Sequence, residues 1–339
     1  MITALKQRAI TLTINGNEGL SYQDAQSQIA NNQWDIVFAT SPVVSIFSAD
    51  SGYTFVAVMF PDSDVYQSGL FVHVDSEIQS VDDITSQHTL ALGEFGKSAS
   101  SFFMPIYDLY GKSVSVNTGN RGSKIVEMVK TRKADIGAAA ISNFGDASRS
   151  NDPELRYIHQ SRNIPSSAVY LSPELALEDR EVLKHILMDA PDEVKEFENS
   201  NYGEGEEPNY DYFRGIIKTV DQVLICSDFS SNPVNLFCPE GFEPYVVRGE
   251  MNGWSARGNN LTLVVSTSDG EIYNVVIDRL TLEEAIAPKK INDLQGWLVE
   301  TRTPNSPVSD SSQVPTIPIT QMTQIKFLDS SLANNVLAF

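Results

Sequence analysis

Two hydrophobic rhythms alternate along the first two thirds of the chain. Apolar residues recur at every second position, or in short unbroken runs, in "AITLTING", "WDIVFAT", "YTFVAVMF", "GLFVHV", "HTLALG", "SVSVN" and "ADIGAAAIS". Such segments predict β-strands, the unbroken ones buried on both faces. Between them lie stretches with helical spacing: "SYQDAQSQIANNQ", entered by a Ser cap, then Phe102 to Tyr110 and Ser123 to Lys133, with "SVDDI" as the start of a short helix. Strands over Leu155 to Gln160 and Ser167 to Leu171 and helices over Glu178 to Met188 and Tyr210 to Ile225 complete this part. Strands separated by helices predict an α/β fold with doubly wound, parallel sheets, in which ligands sit beyond the carboxyl ends of the strands.

Near Cys226 the texture changes. From Pro244 onward "PYVVRGEM" and "NLTLVVSTSDGEIYNVVIDRL" keep strict alternation, with Asp269-Gly270 placed as a hairpin turn. We read 226–302 as a small all-β domain and 303–339, from the Pro and Ser content of "PNSPVSDSSQVPTIP", as a linker and tail. The α/β part is then 1–225.

Composition narrows the function. With 339 residues, 41% hydrophobic and 20% charged, the chain is long enough for two or three domains with cores of their own and has the usage of a globular protein. A formal charge of -20 repels nucleic acid and anionic membrane in bulk, so nucleic acid is not an expected partner and any bound anion must be held locally. No run approaches the roughly 18–20 apolar residues that span a bilayer, so the chain is not expected to insert directly into membrane. Met1 leads abruptly into a helix end and a strand, which predicts a leader or anchor upstream and a periplasmic or extracellular location.

Two cysteines occur, Cys226 and Cys238, in a polar stretch. The pair suits one disulfide in an oxidising compartment or two unrelated thiols. His73, His88, His159 and His185 show no spacing with them that makes a zinc site. No phosphate-cradling or dinucleotide glycine motif and no nucleophile-base pair is present, so neither a cofactor nor an enzymatic role is expected.

Three loops at carboxyl strand ends carry candidate binding chemistry. "GEFGKSASSFFMP" runs from a buried strand into a helix, where free backbone N–H groups and the helix dipole favour an anion. Ser98, Ser100 and Ser101 add hydroxyl donors there, and Lys97 adds a cation or points to water. Taken alone, the cluster reads first as one helix cap with solvated neighbours. "FATSPVVS" brings Thr40 and Ser41 to a second strand end, and "NTGNRGSK" brings Arg121 and Ser123 to a third. Arginine suits oxyanions because its planar fork donates two hydrogen bonds at once, though a loop cation is the plain alternative.

The ordered succession "SYQDAQSQIANNQWDIVFATSPVVS", "DVYQSGLFVHVDSEIQSVDDITSQHTLALGEFGKSASSFFMP", "KIVEMVKTRKADIGAAAIS", "IPSSAVYLSPELALEDREVLKHILM" and "NYGEGEEPNYDYFRGIIKTV" resembles the phosphate, phosphite and phosphonate-binding family of ABC-transporter substrate-binding proteins. The resemblance runs from about Leu12 to Ile225. It implies a two-lobed type II periplasmic-binding-protein fold, with one lobe formed by 1–66 and 166–225 and the other by 67–165. It further implies that Ser98, Ala99, Ser100 and Ser101 cradle the anion, Ala99 standing where the family has a hydroxyl, with Tyr66 and Ser41 contributing. Arg121, Gly122 and Ser123 replace the family's Ser-His-Asp run, and Val44 and Ser45 stand where it has a tyrosine. Ser142 and Asn143 occupy a place where an acid could take the amino group of an aminophosphonate, which favours an inorganic oxyanion. The implied partners are a small oxyanion and an ABC permease; the added β domain leaves room for a membrane sensor partner, with the ligand site altered or lost.

Overall fold

The computed structural model describes residues 22–61, 66–141, 152–197, 200–286, 289–308, 314–320 and 324–328. The expected first strand, "AITLTING", lies outside them. The chain forms two compact units, Met1–Lys218 and Thr219–Phe339.

In the first unit, helix α1 (Tyr22–Ala30) leads into β1 (Ile36–Phe38), helix α2 (Pro42–Asp50) and β2 (Thr54–Met59). The chain then crosses to β3 (Ser68–His73), β4 (Thr89–Ala91), a helical run through Ala99–Phe103 and α3 (Met104–Asp108), β5 (Ser113–Asn117), α4 (Gly122–Lys130), β6 (Ile136–Ala140) and β7 (Leu155–Gln160). A second crossing returns it to β8 (Ala168–Leu171), α5 (Leu177–Met188), α6 (Asp192–Lys195), β9 (Glu196–Phe197), β10 (Ser200–Gly203) and α7 (Asp211–Cys226), whose residues from Thr219 onward belong to the second unit.

Strands from before and after the two crossings make one sheet, in the order β1-β8-β2-β10-β9. Its side chains alternate between two cores, as period-2 geometry requires. Val169 and Leu171 face Leu183, Ile186 and Leu187 of α5, whereas Ala168 and Tyr170 face Ile29 of α1 and Val44 of α2. The strands between the crossings make a second sheet, ordered β5-β4-β6-β3-β7. Here α4 packs Ile125, Met128 and Val129 onto Phe71, Ala91 and Ala139.

The expectation of parallel sheets is corrected in part. Pairing is parallel for β4 with β5 and with β6, but antiparallel for β3 with β6 and β7 and for β8 with β1 and β2. β10 also pairs antiparallel, with β2 and with β9; parallel pairing needs a crossover connection, such as the helical run between β4 and β5.

The second unit holds β11 (Val234–Asn235), β12 (Tyr245–Arg257), β13 (Asn260–Thr267), β14 (Ile272–Asp278), helix α8 (Arg279–Ile286) and β15 (Leu298–Thr303). The turn at Asp269-Gly270 is the expected hairpin, with Gly270 at φ 90°, a conformation that glycine adopts without strain. Cys226 and Cys238 are joined as a disulfide, with Cα atoms 5.6 Å apart.

The reading of 303–339 as linker and tail needs correction. It supplies β16 (Thr316–Ile319) and β17 (Ile325–Leu328), which complete the sheet order β16-β14-β13-β12-β15-β17. Ile317, Ile319 and Ile325 are buried in the same core as Val265, Val275 and Val299. Helix α8 also goes beyond the all-β reading, burying Leu282 and Ile286 in that core.

Candidate functional site

The site grows from the turn that follows β4. Gly93 donates its N–H to Ser101 O (2.8 Å), folding "GEFGKSAS" back on itself. A methyl group at Gly93 would lie 2.0 Å from Ser101 Oγ, so glycine is required by the close approach of the serine. Ser98 then caps the helical run: its Oγ accepts from Ser101 N (3.2 Å) and from Ser101 Oγ (2.7 Å). The first turn is wound as a π-helix, in which Phe103 N reaches back to Ser98 O (3.0 Å). Ala99 and Ser100 contribute first-turn amides, for which a helix offers no carbonyl of its own.

Apolar packing fixes this turn. Phe95 stacks edge-on against Phe102 with ring centroids 5.1 Å apart, and Phe102, Phe103 and Met104 are buried. Ser100 and Ser101 are also buried, at 5% and 8% of their surface exposed. Lys97, whose side chain is only 14% exposed, lies 4.0 Å from Glu94. Both charges therefore belong to the cradle loop.

The crossing segments reach the cradle through Tyr66. Its hydroxyl donates to Ser100 Oγ (3.1 Å), while Ser68 Oγ donates to Ser100 O (2.5 Å). Tyr66 is itself anchored to the returning crossing: its N–H donates to Asn163 Oδ1 (2.7 Å), and its carbonyl accepts from Ile164 N (2.6 Å). Tyr212, at the start of α7, donates its hydroxyl to Asn163 O. Burial pushes the Tyr212 phenol up, so it stays protonated and keeps donating.

The third loop is tied to the same turn. Gly119 N donates to Gly93 O (2.9 Å), and the Asn120 amide donates to Leu92 O (3.1 Å) and Asn117 O (3.1 Å). These bonds deliver Arg121 to the N-cap position of α4 without a side-chain cap bond. Arg121 and Ser123 are exposed.

Ser41 is placed differently from the cradle serines. It caps α2, its Oγ accepting from Val43 N (3.3 Å), and is 4% exposed. Four residues on, Ser45 Oγ accepts from Ala168 N (3.0 Å) and fixes α2 on the first sheet. Beside it, Tyr170 donates to Glu207 Oε1 (3.0 Å). Burial pushes the Tyr170 phenol far up, which keeps it a donor.

The structure thus joins Tyr66, Ser98, Ala99, Ser100 and Ser101 in one bonded cluster, with Arg121 and Ser123 on a loop bound to its base. Ser142 lies outside the described residues. The sequence reading did not single out Ser68, Gly93, Asn120 or Asn163. Gly93 had a signal, since a glycine between a buried strand and a serine run marks close backbone approach; the others act through long-range pairings that no local pattern marks. Among the described residues no cluster of His, Cys, Asp and Glu could hold a metal ion, and no helix is long and apolar enough to cross a membrane.

Comparison with known proteins agrees with this architecture. The sequence profile of a family described as the periplasmic substrate-binding protein of phosphonate ABC transporters matches residues 3–206. Among solved structures, a Xanthomonas citri protein bound to ATP aligns with a TM-score of 0.51 at 15% identity, covering 64% of this chain and 86% of that one. PhnD1 from Prochlorococcus marinus in complex with methylphosphonate aligns at 0.48 and 15%, covering 65% and 90%. The binding-protein component of a Pseudomonas aeruginosa phosphonate transporter aligns at 0.47 and 14%, covering 65% and 80%. No curated protein matches this sequence.

Proposed function

The chain belongs to the family of periplasmic substrate-binding proteins of phosphonate ABC transporters, and from that premise we propose that it captures a small tetrahedral oxyanion, such as phosphate, phosphite or a phosphonate, on the Ser98–Ser101 cradle. Its family and structural neighbours are transporter binding proteins and not enzymes. Family membership implies a small-molecule ligand and an ABC permease as partner.

One observation carries the ligand class: the buried hydroxyls of Ser100 and Ser101 and the half-buried hydroxyl of Ser98 are gathered at the start of a helical run and joined by a tyrosine from the crossing segment. Hydroxyls and first-turn amides provide donors without bulk, and the helix dipole adds partial positive charge. Arg121, exposed on a loop bound to Gly93 O, is suited to close over a bound oxyanion as a bidentate donor. Ser123, after β5 of the same sheet, and Ser41, after β1 of the other sheet, complete the proposed contacts. Binding would involve hydrogen bonds alone, with the two groups of strands closing about the crossings that carry Tyr66 and Asn163.

Isothermal titration calorimetry with phosphate, phosphite and methylphosphonate tests this. Each hydrogen bond to a charged group contributes about 1.5–3 kcal/mol, so Ser100→Ala and Arg121→Ala should each weaken binding by roughly 10-fold or more. Absence of heat with all three anions at millimolar concentration would overturn the proposal. A second reading is favoured by the Thr219–Phe339 unit, which lies beyond the 3–206 family match. In that reading the β unit engages a sensor partner, and partner binding survives both substitutions.

A further inference from the structure

We propose that the loop after α7 forms a binding site in the second unit for a small organic cation, an ammonium or guanidinium group on a short carbon stem. The site is independent of the oxyanion reading above and shares none of its residues.

The space comes from the disulfide-closed loop. A cavity of about 230 Å³ lies at the end of α7, with apolar surface from Cys226, Phe237 and Pro239 and polar surface from Ser227, Asp228, Ser231 and Asn235. All of these but Pro239 fall within the loop that the Cys226–Cys238 bond closes. The volume is below the roughly 300–1,000 Å³ of pockets for drug-sized ligands, so the occupant is smaller than those.

The charge is one-sided. The lining contains one carboxylate and no Lys, Arg or His. The Ser230 hydroxyl (2.6 Å) and amide (2.9 Å) both donate to Asp228 Oδ1, and they hold the carboxyl below the usual carboxylate range. Both bonds fall on the same oxygen, which leaves Oδ2 to accept from a ligand. Helix α7 is 16 residues long and ends at Cys226 in the lining, so the partial negative charge of its carbonyl end acts on the cavity.

The lining hydroxyls also turn lone pairs to a ligand, because their protons go to backbone carbonyls, which can only accept. Ser227 Oγ donates to Asn235 O (2.5 Å), and Ser231 Oγ donates to Asp228 O (2.6 Å) and Pro233 O (3.1 Å). Asn235 adds an amide, whose oxygen is a further acceptor. A cluster of acceptors around one ionised carboxylate calls for a cation that carries N–H donors. An anion would meet Asp228 with no basic side chain to receive it. Among the described residues no group of His, Cys, Asp and Glu could hold a metal ion. The apolar lining suits a carbon stem instead, and the Phe237 ring attracts a cation placed over its face.

Calorimetry with the whole chain at constant ionic strength tests this. The probes are n-butylammonium and methylguanidinium, with n-butanol as the neutral counterpart and calcium chloride as the inorganic cation. Both organic cations should bind, and n-butanol, which cannot form a charge-assisted bond to Asp228, should bind about 10-fold or more weakly. Asp228→Asn keeps an oxygen for the Ser230 donors and should weaken n-butylammonium by a similar factor. No heat from either organic cation at millimolar concentration overturns the site, as does n-butanol binding equal to that of n-butylammonium. An Asp228→Asn protein that binds n-butylammonium as the parent does also overturns it, and the n-butanol comparison decides the matter on the parent if that variant does not fold. Heat from calcium and none from the organic cations overturns the ligand class. Because the two sites share no residue, each of these results stands whether or not methylphosphonate binds at the cradle.

Discussion

Gly93→Ala places one methyl group in the turn on which the cradle is built. Its carbon would lie 2.0 Å from Ser101 Oγ, 2.9 Å from Ser101 Cβ and 3.4 Å from Ser98 Cβ. The 2.0 Å clash can be relieved by rotating the Ser101 hydroxyl away, which breaks its 2.7 Å bond to Ser98 Oγ. The 2.9 Å contact remains and requires a backbone shift in a turn packed against Phe102 and Phe103. Overpacking of this kind costs about 1–3 kcal/mol, which on a unit of this size lowers the melting temperature by roughly 2–10 °C. Binding falls for a separate reason: the shift moves the Ser98 and Ser101 hydroxyls and the first-turn amides out of their common arrangement, and losing one hydrogen bond to the anion should lower affinity for methylphosphonate about 10-fold. Differential scanning calorimetry and isothermal titration read the two effects independently. Adding Ser101→Gly removes both clashing atoms, so Gly93→Ala/Ser101→Gly should recover melting temperature without recovering affinity. A Gly93→Ala protein that melts and binds as the parent does would refute the assignment of this turn as the anion cradle.

Three further outcomes concern the second unit. Burial raises the Asp221 carboxyl to about 6, against the opposing pull of Lys326 and Arg302. A carboxyl raised on folding stabilises fully below its unfolded value near 4, and this contribution is lost as pH rises through about 6; Asp221→Asn should therefore raise stability by about 2–3 kcal/mol at pH 8 relative to the parent, with little difference at pH 4, as read by urea denaturation. Glu300 is buried between Arg248 (Nε 2.8 Å) and Arg302 (Nε 2.9 Å), whose guanidinium groups reach solvent, so Glu300→Ala, which removes these charge-assisted hydrogen bonds, should cost about 1.5–3 kcal/mol in the same assay. Replacing Cys226 and Cys238 by serine opens a loop of twelve residues' separation and should cost about 3 kcal/mol, an effect that reducing agent reproduces in the parent protein and not in the variant.

Much of the α/β order was legible because each element carries its own period. The alternation of Ala168 to Leu171 sends successive side chains into two cores, and α4 aligns Ile125, Met128 and Val129 on one face. Helix α2 was hidden for the opposite reason. "PVVSIFSAD" is buried nearly all round, so it has no polar face to betray a helical period. Its inward serines are satisfied locally, Ser48 Oγ donating to Val44 O at 2.9 Å. The β16 and β17 segments were masked by composition, because prolines and serines around them suggest a linker while only isoleucines at alternate positions meet the core.

By itself the sequence determined the alternation of strands and helices, the switch to hairpins beyond Pro244, and a serine-rich turn at a strand end. These follow from periodicity and residue type, which act within a few positions of the chain. Tertiary structure alone decided what the turn can do. Tyr66 and Ser100 are 34 positions apart, and Tyr66 and Asn163 are 97 apart, yet one bond aims a hydroxyl and the other holds the tyrosine that aims it. A hydroxyl donates or accepts according to its neighbours, and those neighbours are chosen by the folded chain.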